Sequence, residues 1–486
     1  MKLYSKSCMF HFILIFFLLF IFKSICALQP INIVKTLPGY SGFLPFKLET
    51  GYISVGENDE VQMFYYFVES ERDPDTDPLL LWLTGGPGCS GFSGLVYEIG
   101  PLAFDLSSFD WSLPSLVLNP YSWTKIANII FIDSPVGTGF SYANTSEGYV
   151  SSDTKAAKDN YIFLRKWLLN HPRFIKNQLY VAADSYGGKM APMVALEIDQ
   201  GNEQGLEPQM ILQGYIIGNS VTDHDKDNNE KIPYAHRMAL ISDQYYELAR
   251  NSCNGQYTNP DPNNYKCLYA LQFVKQCTKS ICEGHILEPK CKYISPKHDD
   301  DIIKLGPIYL EDFPSDFLLM SKQEELWCRN HNYRTSYVWM NDENVQEALH
   351  IRKGTIKDWK RCNKTLSAYE SDVESVLKYH QLLNDKGYQL LAYSGDHDMA
   401  VPYMSTLKWI RSLNRQSIDD EWRPWTVDGQ VAGYTEKYKN NQAYITFATV
   451  KVRKKMGFFG AGHTAPEYKP KQCFAMVNRW LSLFPL

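Results

Sequence analysis

The sequence predicts an α/β protein: a mostly parallel central sheet with helices on both faces, interrupted by a disulfide-stapled cap. Three observations carry this. Short apolar runs without period-2 alternation recur along the chain, amphipathic segments lie between them, and one polar, cysteine-rich stretch breaks the rhythm. The runs are Leu79 to Thr84, Ile129 to Asp133, Leu179 to Ala182, Ile211 to Gly218, Leu390 to Tyr393 and Tyr444 to Val450. Unbroken apolar composition of that length suits strands buried on both faces. The predicted helices are Thr154 to Asn170, Pro192 to Asp199, Val373 to Asp385 and Cys473 to Ser482. From 201 to 333 the chain is rich in Asn, Pro, Asp and Lys and holds Cys253, Cys267, Cys277, Cys282, Cys291 and Cys328. No Gly/Ser linker flanks this stretch, so it reads as a cap inserted into one core made of 28–200 and 334–486.

With 44% apolar and 21% charged residues, the 486-residue chain can bury a large core, and its net charge of -5 disfavours nucleic acid as a partner. Lys2 and Lys6 precede an apolar run from Met9 to Phe22, and Ser24-Ile25-Cys26-Ala27 closes it. That order is a secretory signal over residues 1–27, and the run falls short of the ~20 residues of a spanning helix. The mature chain is therefore expected in the secretory route without a membrane anchor, with nine of eleven cysteines in an oxidising compartment. Asn144-Thr145-Ser146 and Asn363-Lys364-Thr365 are glycosylation sequons consistent with that route.

Ala183-Asp184-Ser185-Tyr186-Gly187 follows a strand and opens a helix, the setting of a nucleophilic serine on a sharp turn. Ala183 stands where the usual G-x-S-x-G pattern has its first Gly, a mild steric cost if φ stays negative. Such a serine needs an acid and then a histidine, in that chain order, each after a strand. Gly395-Asp396-His397-Asp398 and Gly460-Ala461-Gly462-His463 meet the requirement. Asp398 is the preferred partner of His463, with Asp396 the competing carboxylate. Thr84-Gly85-Gly86-Pro87-Gly88-Cys89-Ser90-Gly91 offers backbone N–H groups for a developing oxyanion. It lacks the Lys-Ser/Thr of a P-loop and the spacing of a dinucleotide fingerprint, and the chain has no H-E-x-x-H or paired C-x-x-C. No cofactor or metal is expected.

Taken together, Trp82 to Ser90, Asp133-Ser134-Pro135-Val136-Gly137-Thr138-Gly139-Phe140-Ser141-Tyr142, Asp184-Ser185-Tyr186, Gly395 to Asp398 and Gly462-His463-Thr464 resemble the plant serine carboxypeptidase-like proteins, from about Ile33 to the C-terminus. The resemblance implies an α/β-hydrolase fold, a Ser185/Asp398/His463 triad and an oxyanion hole from the N–H groups of Gly86 and Tyr186. It also implies disulfides Cys89–Cys328 and Cys253–Cys267, with a third among Cys277, Cys282 and Cys291, leaving Cys362 and Cys473 as spare thiols. In the peptidases of this family an Asn before Gly-Gly, a Glu before the serine and a second Glu hold the substrate's terminal carboxylate. Here Thr84 and Asp184 stand at the first two positions, beside Gly85, and Glu98 keeps the third. Those replacements resemble the acyltransferase branch, which moves an acyl group from a 1-O-glucose ester to an acceptor hydroxyl or amine, with vacuolar or extracellular location. The partners implied are a small acyl-glucose donor and a small acceptor, and neither the acyl group nor an oligomeric state is specified. A serine carboxypeptidase is the alternative. A second alternative, a non-catalytic binding protein, is raised by Val452 to Phe459, which look like an eight-residue insertion before the catalytic histidine.

Overall fold

The computed structural model describes residues 32–290, 329–451 and 460–486, except 108, 110, 111, 367, 414–416 and 441. The signal segment 1–27, Cys291, Cys328 and the Val452–Phe459 insertion lie outside the described residues.

One twelve-stranded sheet organises the chain. Its strands are β1 (Asn32–Val34), β2 (Leu48–Val55), β3 (Val61–Val68), β4 (Leu79–Leu83), β5 (Asn128–Ile132), β6 (Leu179–Asp184), β7 (Leu212–Gly218), β8 (Gln389–Gly395), β9 (Ser417–Val427), β10 (Gln430–Asn440) and β11 (Ala443–Val450). A two-residue strand, Tyr142–Ala143, adds to β3. The order is β1-β2-β3-β5-β4-β6-β7-β8-β11-β10-β9. The six central strands, β5 through β11, pair in parallel, and antiparallel ribbons flank them. This is the α/β-hydrolase arrangement.

Why the central strands read as unbroken apolar runs is visible in the packing. Leu80, Trp82, Tyr180 and Ala182 enter one core, while Leu79, Leu81, Leu83, Val181 and Ala183 enter a second on the opposite face. Alternate side chains point to opposite faces of a strand, so a sheet covered on both sides wants apolar residues at every position.

The Asp153–Asn170 helix starts where Ser152 accepts a hydrogen bond from the Lys155 N–H, and it ends before Pro172. The helix after β6 runs from Gly187 to Glu203, so Pro192 lies inside it rather than at its start. Val373 to Val376 are not helical; the segment becomes a helix only at Leu377–Asp385.

The cap boundary predicted at 201 is corrected. Residues 201–203 complete a core helix and β7 lies between β6 and β8, so the insertion begins after Gly218. The polar stretch near Gly205 is the exposed turn between that helix and β7, and its composition mimics the start of the cap. Beyond Gly218, helices His224–Asn229, Lys231–Arg237, Asp243–Cys253 and Tyr265–Thr278 enclose a small separate core that includes Ile232, Tyr234, Ala249 and Val274.

Cys253 and Cys267 are bridged, clamping two cap helices together. The other expected pairings need correction. Cys89 is bonded to Cys362, not to Cys328, and so Cys362 is not a spare thiol. Cys89 and Cys362 face each other in an isolated antiparallel bridge, which sets their main chains within reach. Cys277 and Cys282 are not bonded to each other and are free thiols among the described residues, and Cys291, the other expected member of a third disulfide, lies outside them; Cys473 is free and buried. Among the described residues, no helix is long and apolar enough to cross a membrane.

Candidate active site

Ser185 stands one residue past β6 with φ +52°, left-handed backbone that costs a non-glycine residue roughly 1–3 kcal/mol. The turn is held by Ser185 N–H donating to Gly218 O at 2.9 Å and Val221 N–H donating to Ser185 O at 3.0 Å. Gly187 allows the helix to start here, since a Cβ on it would lie 2.2 Å from the Leu83 carbonyl. Ala183 is an ordinary strand residue in register with Leu83 and Ile217, and its methyl is fully buried in the core.

Ser185, Asp398 and His463 come together at the carboxyl edge of the parallel strands. His463 Nε2 lies 2.7 Å from Ser185 Oγ, and Nδ1 lies 2.8 Å from Asp398 Oδ2. Asp398 is wholly buried and accepts further hydrogen bonds from Asn219 Nδ2 at 2.7 Å and Ala400 N–H at 2.8 Å. Burial works against a charged His463 ring, yet the Asp398 carboxylate outweighs it and raises the pKa above the usual imidazole value. Asp396, the competing carboxylate, is elsewhere: it accepts from His397 Nδ1 at 2.7 Å and Ala461 N–H at 3.1 Å.

The cap reaches into this site through its backbone. Gly284 O accepts the His463 N–H at 2.7 Å, and Glu283 O accepts the N–H groups of Met399 and Ala400 at 2.8 and 3.0 Å. Ile286 N–H donates to His397 O at 3.0 Å. Together with Asp396, these contacts tie the histidine loop down on the near side of the expected insertion.

Beside Ser185, the Gly85–Gly86 turn packs so closely that a Cβ on Gly85 would lie 2.6 Å from Ser185 Cβ and 2.9 Å from Tyr186 N. Gly86 has φ +126°, and Tyr186 caps the Gly187–Glu203 helix. Neither N–H has an acceptor among the described residues, so both are available to an oxygen on the acyl carbon.

These groups open into a cavity of about 300 Å³ that also exposes Thr84, Glu98, Asp184, Tyr333, Arg361 and Tyr468. Thr84 Oγ1 accepts from Trp82 Nε1 at 3.1 Å, and Asp184 Oδ1 accepts the Gly85 N–H at 3.1 Å. Glu98 is buried, and its Oε2 has no hydrogen-bond partner. Burial first, and then the neighbouring Asp184 charge, pushes the Glu98 pKa well above the carboxylate range. Burial likewise pushes Asp184 up to about 6, against the lowering pull of His463 and the Gly85 N–H.

The sequence reading missed the two arginines of this cavity. Arg329 pairs with Glu288 at 3.0 Å and Glu467 at 2.8 Å and lies 3.8 Å from the Tyr468 ring centre. Arg361 lies 3.8 Å from the Tyr333 ring centre and makes no ion pair among the described residues. Arg361 adjoins Cys362, so pairing that cysteine with Cys89 would have placed it at the site. Arg329 adjoins Cys328, so the expected pairing of that cysteine with Cys89 carried the same kind of signal for it.

The sequence profile of the serine carboxypeptidase family matches residues 38–483. Serine carboxypeptidase-like 17 of Arabidopsis thaliana is 46% identical over 453 residues, covering 93% of each chain. Serine carboxypeptidase-like 7 of the same plant is 47% identical over 455 residues, covering 94% of each. Among solved structures, Kex1(delta)p, a prohormone-processing carboxypeptidase from Saccharomyces cerevisiae, superposes with a TM-score of 0.65 at 20% identity. That match covers 90% of this chain and 91% of the other, a likeness of fold.

Proposed function

Because the chain belongs to the serine carboxypeptidase family, we propose that it is a serine-dependent acyltransferase that takes an acyl group from a 1-O-glucose ester and passes it to an acceptor hydroxyl or amine. The observation that carries this reading is the state of the three positions that hold a terminal carboxylate in the peptidases. Thr84 presents a hydroxyl engaged by Trp82, Asp184 turns to the Gly85 N–H, and Glu98 Oε2 has no partner. The polar, aromatic-lined cavity suits a sugar, whose hydroxyls need donors and acceptors and whose ring faces need flat apolar surface.

In this mechanism Ser185 Oγ attacks the ester carbonyl while His463 Nε2 takes its proton, and the N–H groups of Gly86 and Tyr186 receive the developing oxyanion. The carbonyl carbon then releases the glucose oxygen, which leaves with the proton from His463. An acceptor hydroxyl or amine next gives its proton to His463 and attacks the acyl-serine, and Ser185 Oγ leaves with that proton from His463, restoring both groups. Asp398 holds the ring tautomer and balances the imidazolium. Water competes with the acceptor, and transfer prevails by positioning: well-oriented groups reach effective molarities of about 10⁵ M or more.

The secretory route, and from there the vacuole or the cell exterior, belongs to the same proposal. Asn144 is exposed and open to glycosylation, whereas the Asn363 amide nitrogen is already engaged, donating to Gly137 O at 2.9 Å. A carboxypeptidase is the second reading, favoured by the retained, buried Glu98.

One assay separates them. Protein incubated with an aryl-acyl glucose and mixed acceptors yields transferred ester or amide if the first reading is right. Cleavage of a blocked dipeptide without transfer supports the peptidase. Failure of Ser185 to react with a fluorophosphonate would sink both.

A further inference from the structure

Two buried charges meet at the hydroxyl of Tyr186, the residue of the proposed oxyanion donor, and neither is among the residues that line the catalytic cavity. Asp153, the first residue of the Asp153–Asn170 helix, is fully buried, and Lys189, in the first turn of the Gly187–Glu203 helix, is 4% exposed. Lys189 Nζ lies 2.8 Å from Asp153 Oδ2. Removing an ion pair from water costs several kcal/mol per ion, and apolar replacements are often as stable, so stability alone is a weak reason for the pair.

What the pair holds is the side chain of Tyr186. The Tyr186 hydroxyl donates to Asp153 Oδ1 at 2.6 Å, lies 2.6 Å from Ser371 Oγ, and receives Lys189 Nζ at 3.3 Å. Lys189 Nζ also sits 4.9 Å from the centre of the Tyr186 ring. The carboxylate is itself pinned by Tyr369 Oη at 2.6 Å and the Val373 N–H at 3.1 Å. Tyr186 is thus anchored at both ends: its phenol in a buried charge network, its main chain at the helix start beside Gly85. Its N–H lies at the N-cap of that helix and has no acceptor among the described residues.

We propose that Asp153 and Lys189 are positioning residues for the oxyanion hole, holding the Tyr186 ring so that its N–H stays aimed at the acyl oxygen. An oxyanion donor removed costs about 10²–10³-fold in rate, and a 1 Å misplacement in an active site can cost about 10²-fold. Loosening the ring, which shifts the N–H by less than that, should cost about tenfold. The inference rests on Ser185 acting as the nucleophile and not on the identity of the acyl donor. The competing role is a plain cross-link between two helices and the Tyr369–Val373 segment, with no effect on catalysis.

The test uses the full chain and a fluorophosphonate. In that reaction a Ser185 Oγ–P bond forms, the P–F bond breaks, fluoride leaves and His463 takes the serine proton. The phosphoryl oxygen occupies the oxyanion hole as charge develops. Second-order labelling rates and Tm are measured for wild type, Asp153→Asn, Tyr186→Phe and the double variant, all well below Tm. Each single variant should label about tenfold more slowly, and the double variant no more slowly than the slower single one, because both act through one ring. Should Asp153→Asn fail to fold, Ser371→Ala, an exposed hydroxyl on the same ring tip, replaces it, with about a threefold loss expected. Labelling within twofold of wild type alongside a lowered Tm would overturn the proposal in favour of the cross-link. Multiplying losses in the double variant would also overturn it. A wild-type protein that does not label removes the nucleophile reading, and the positioning role with it.

Discussion

Glu98 and Asp184 are two buried carboxyl groups facing one cavity that repel each other without sharing a hydrogen bond. Burial raises both pKa values, Asp184 to about 6, so the folded chain keeps protons that the unfolded chain releases from about pH 4 upward. The folded state then binds more protons, and stability is lost as pH rises through that window. Glu98→Gln with Asp184→Asn removes the titration. The Tm of wild type relative to this double variant should fall between pH 4 and pH 7, by the equivalent of roughly 1–3 kcal/mol. A gap that stays constant, or widens in wild type's favour toward neutral pH, would contradict the shared burial.

Rebuilding the carboxylate site should move the chemistry. Asp184→Glu restores a methylene that brings the carboxyl toward Glu98, where a shared proton needs ~2.5–2.7 Å. Thr84→Asn restores an amide donor. The pair of substitutions should raise kcat/KM for a blocked dipeptide by about tenfold or more, 1.4 kcal/mol being a factor of ten. No gain would count against this account of the cavity.

The two aspartates of the Gly395–Asp398 loop should separate kinetically. Asp398→Asn leaves His463 with the wrong tautomer and should lower kcat on the order of 10³–10⁴-fold. Asp396→Asn keeps an oxygen for the Ala461 N–H and should stay within about tenfold, a loosened loop and not a lost charge. Because Asp398 raises the His463 pKa, the acidic limb of the wild-type pH–rate profile should fall above the usual ~6.5 of imidazole. Equal losses in the two variants would reverse the assignment.

Thiol chemistry checks the disulfide pattern. In native protein without reductant, iodoacetamide should modify the exposed Cys277 and leave Cys362 and buried Cys473 untouched. Cys362→Ser opens a bridge between residues 273 apart in sequence and should destabilise the fold by about 3–5 kcal/mol, read from denaturant midpoints. Labelling of Cys362 in the folded, oxidised protein would show that the bridge to Cys89 is not formed.

Much of the sheet was legible because its central strands are apolar at every position, as burial on two faces requires. The flanking ribbons were not. Strand Gln430–Asn440 buries Gly433 and Glu436 and exposes Gln430 and Lys439, so its composition resembles a loop. One signal went unused: Asp428-Gly429 at the hairpin tip has φ +51° and +73°, the conformation that pair favours between antiparallel strands. The cap boundary slipped for a related reason, since an exposed turn near Gly205 and the start of an insertion share the same polar composition.

By itself the sequence determined the chain order of serine, aspartate loop and histidine, their places after strands, and the family, because these are local patterns of glycines, strand ends and motif spacing. Only the tertiary structure decided which aspartate meets His463, which cysteine meets Cys89, and that Gly284 of the cap holds the histidine's backbone. It also brought Arg329 and Arg361 to the cavity. Each of those relations joins residues far apart in sequence through a distance of a few ångströms, and such distances exist only once the sheet has fixed where its strands end.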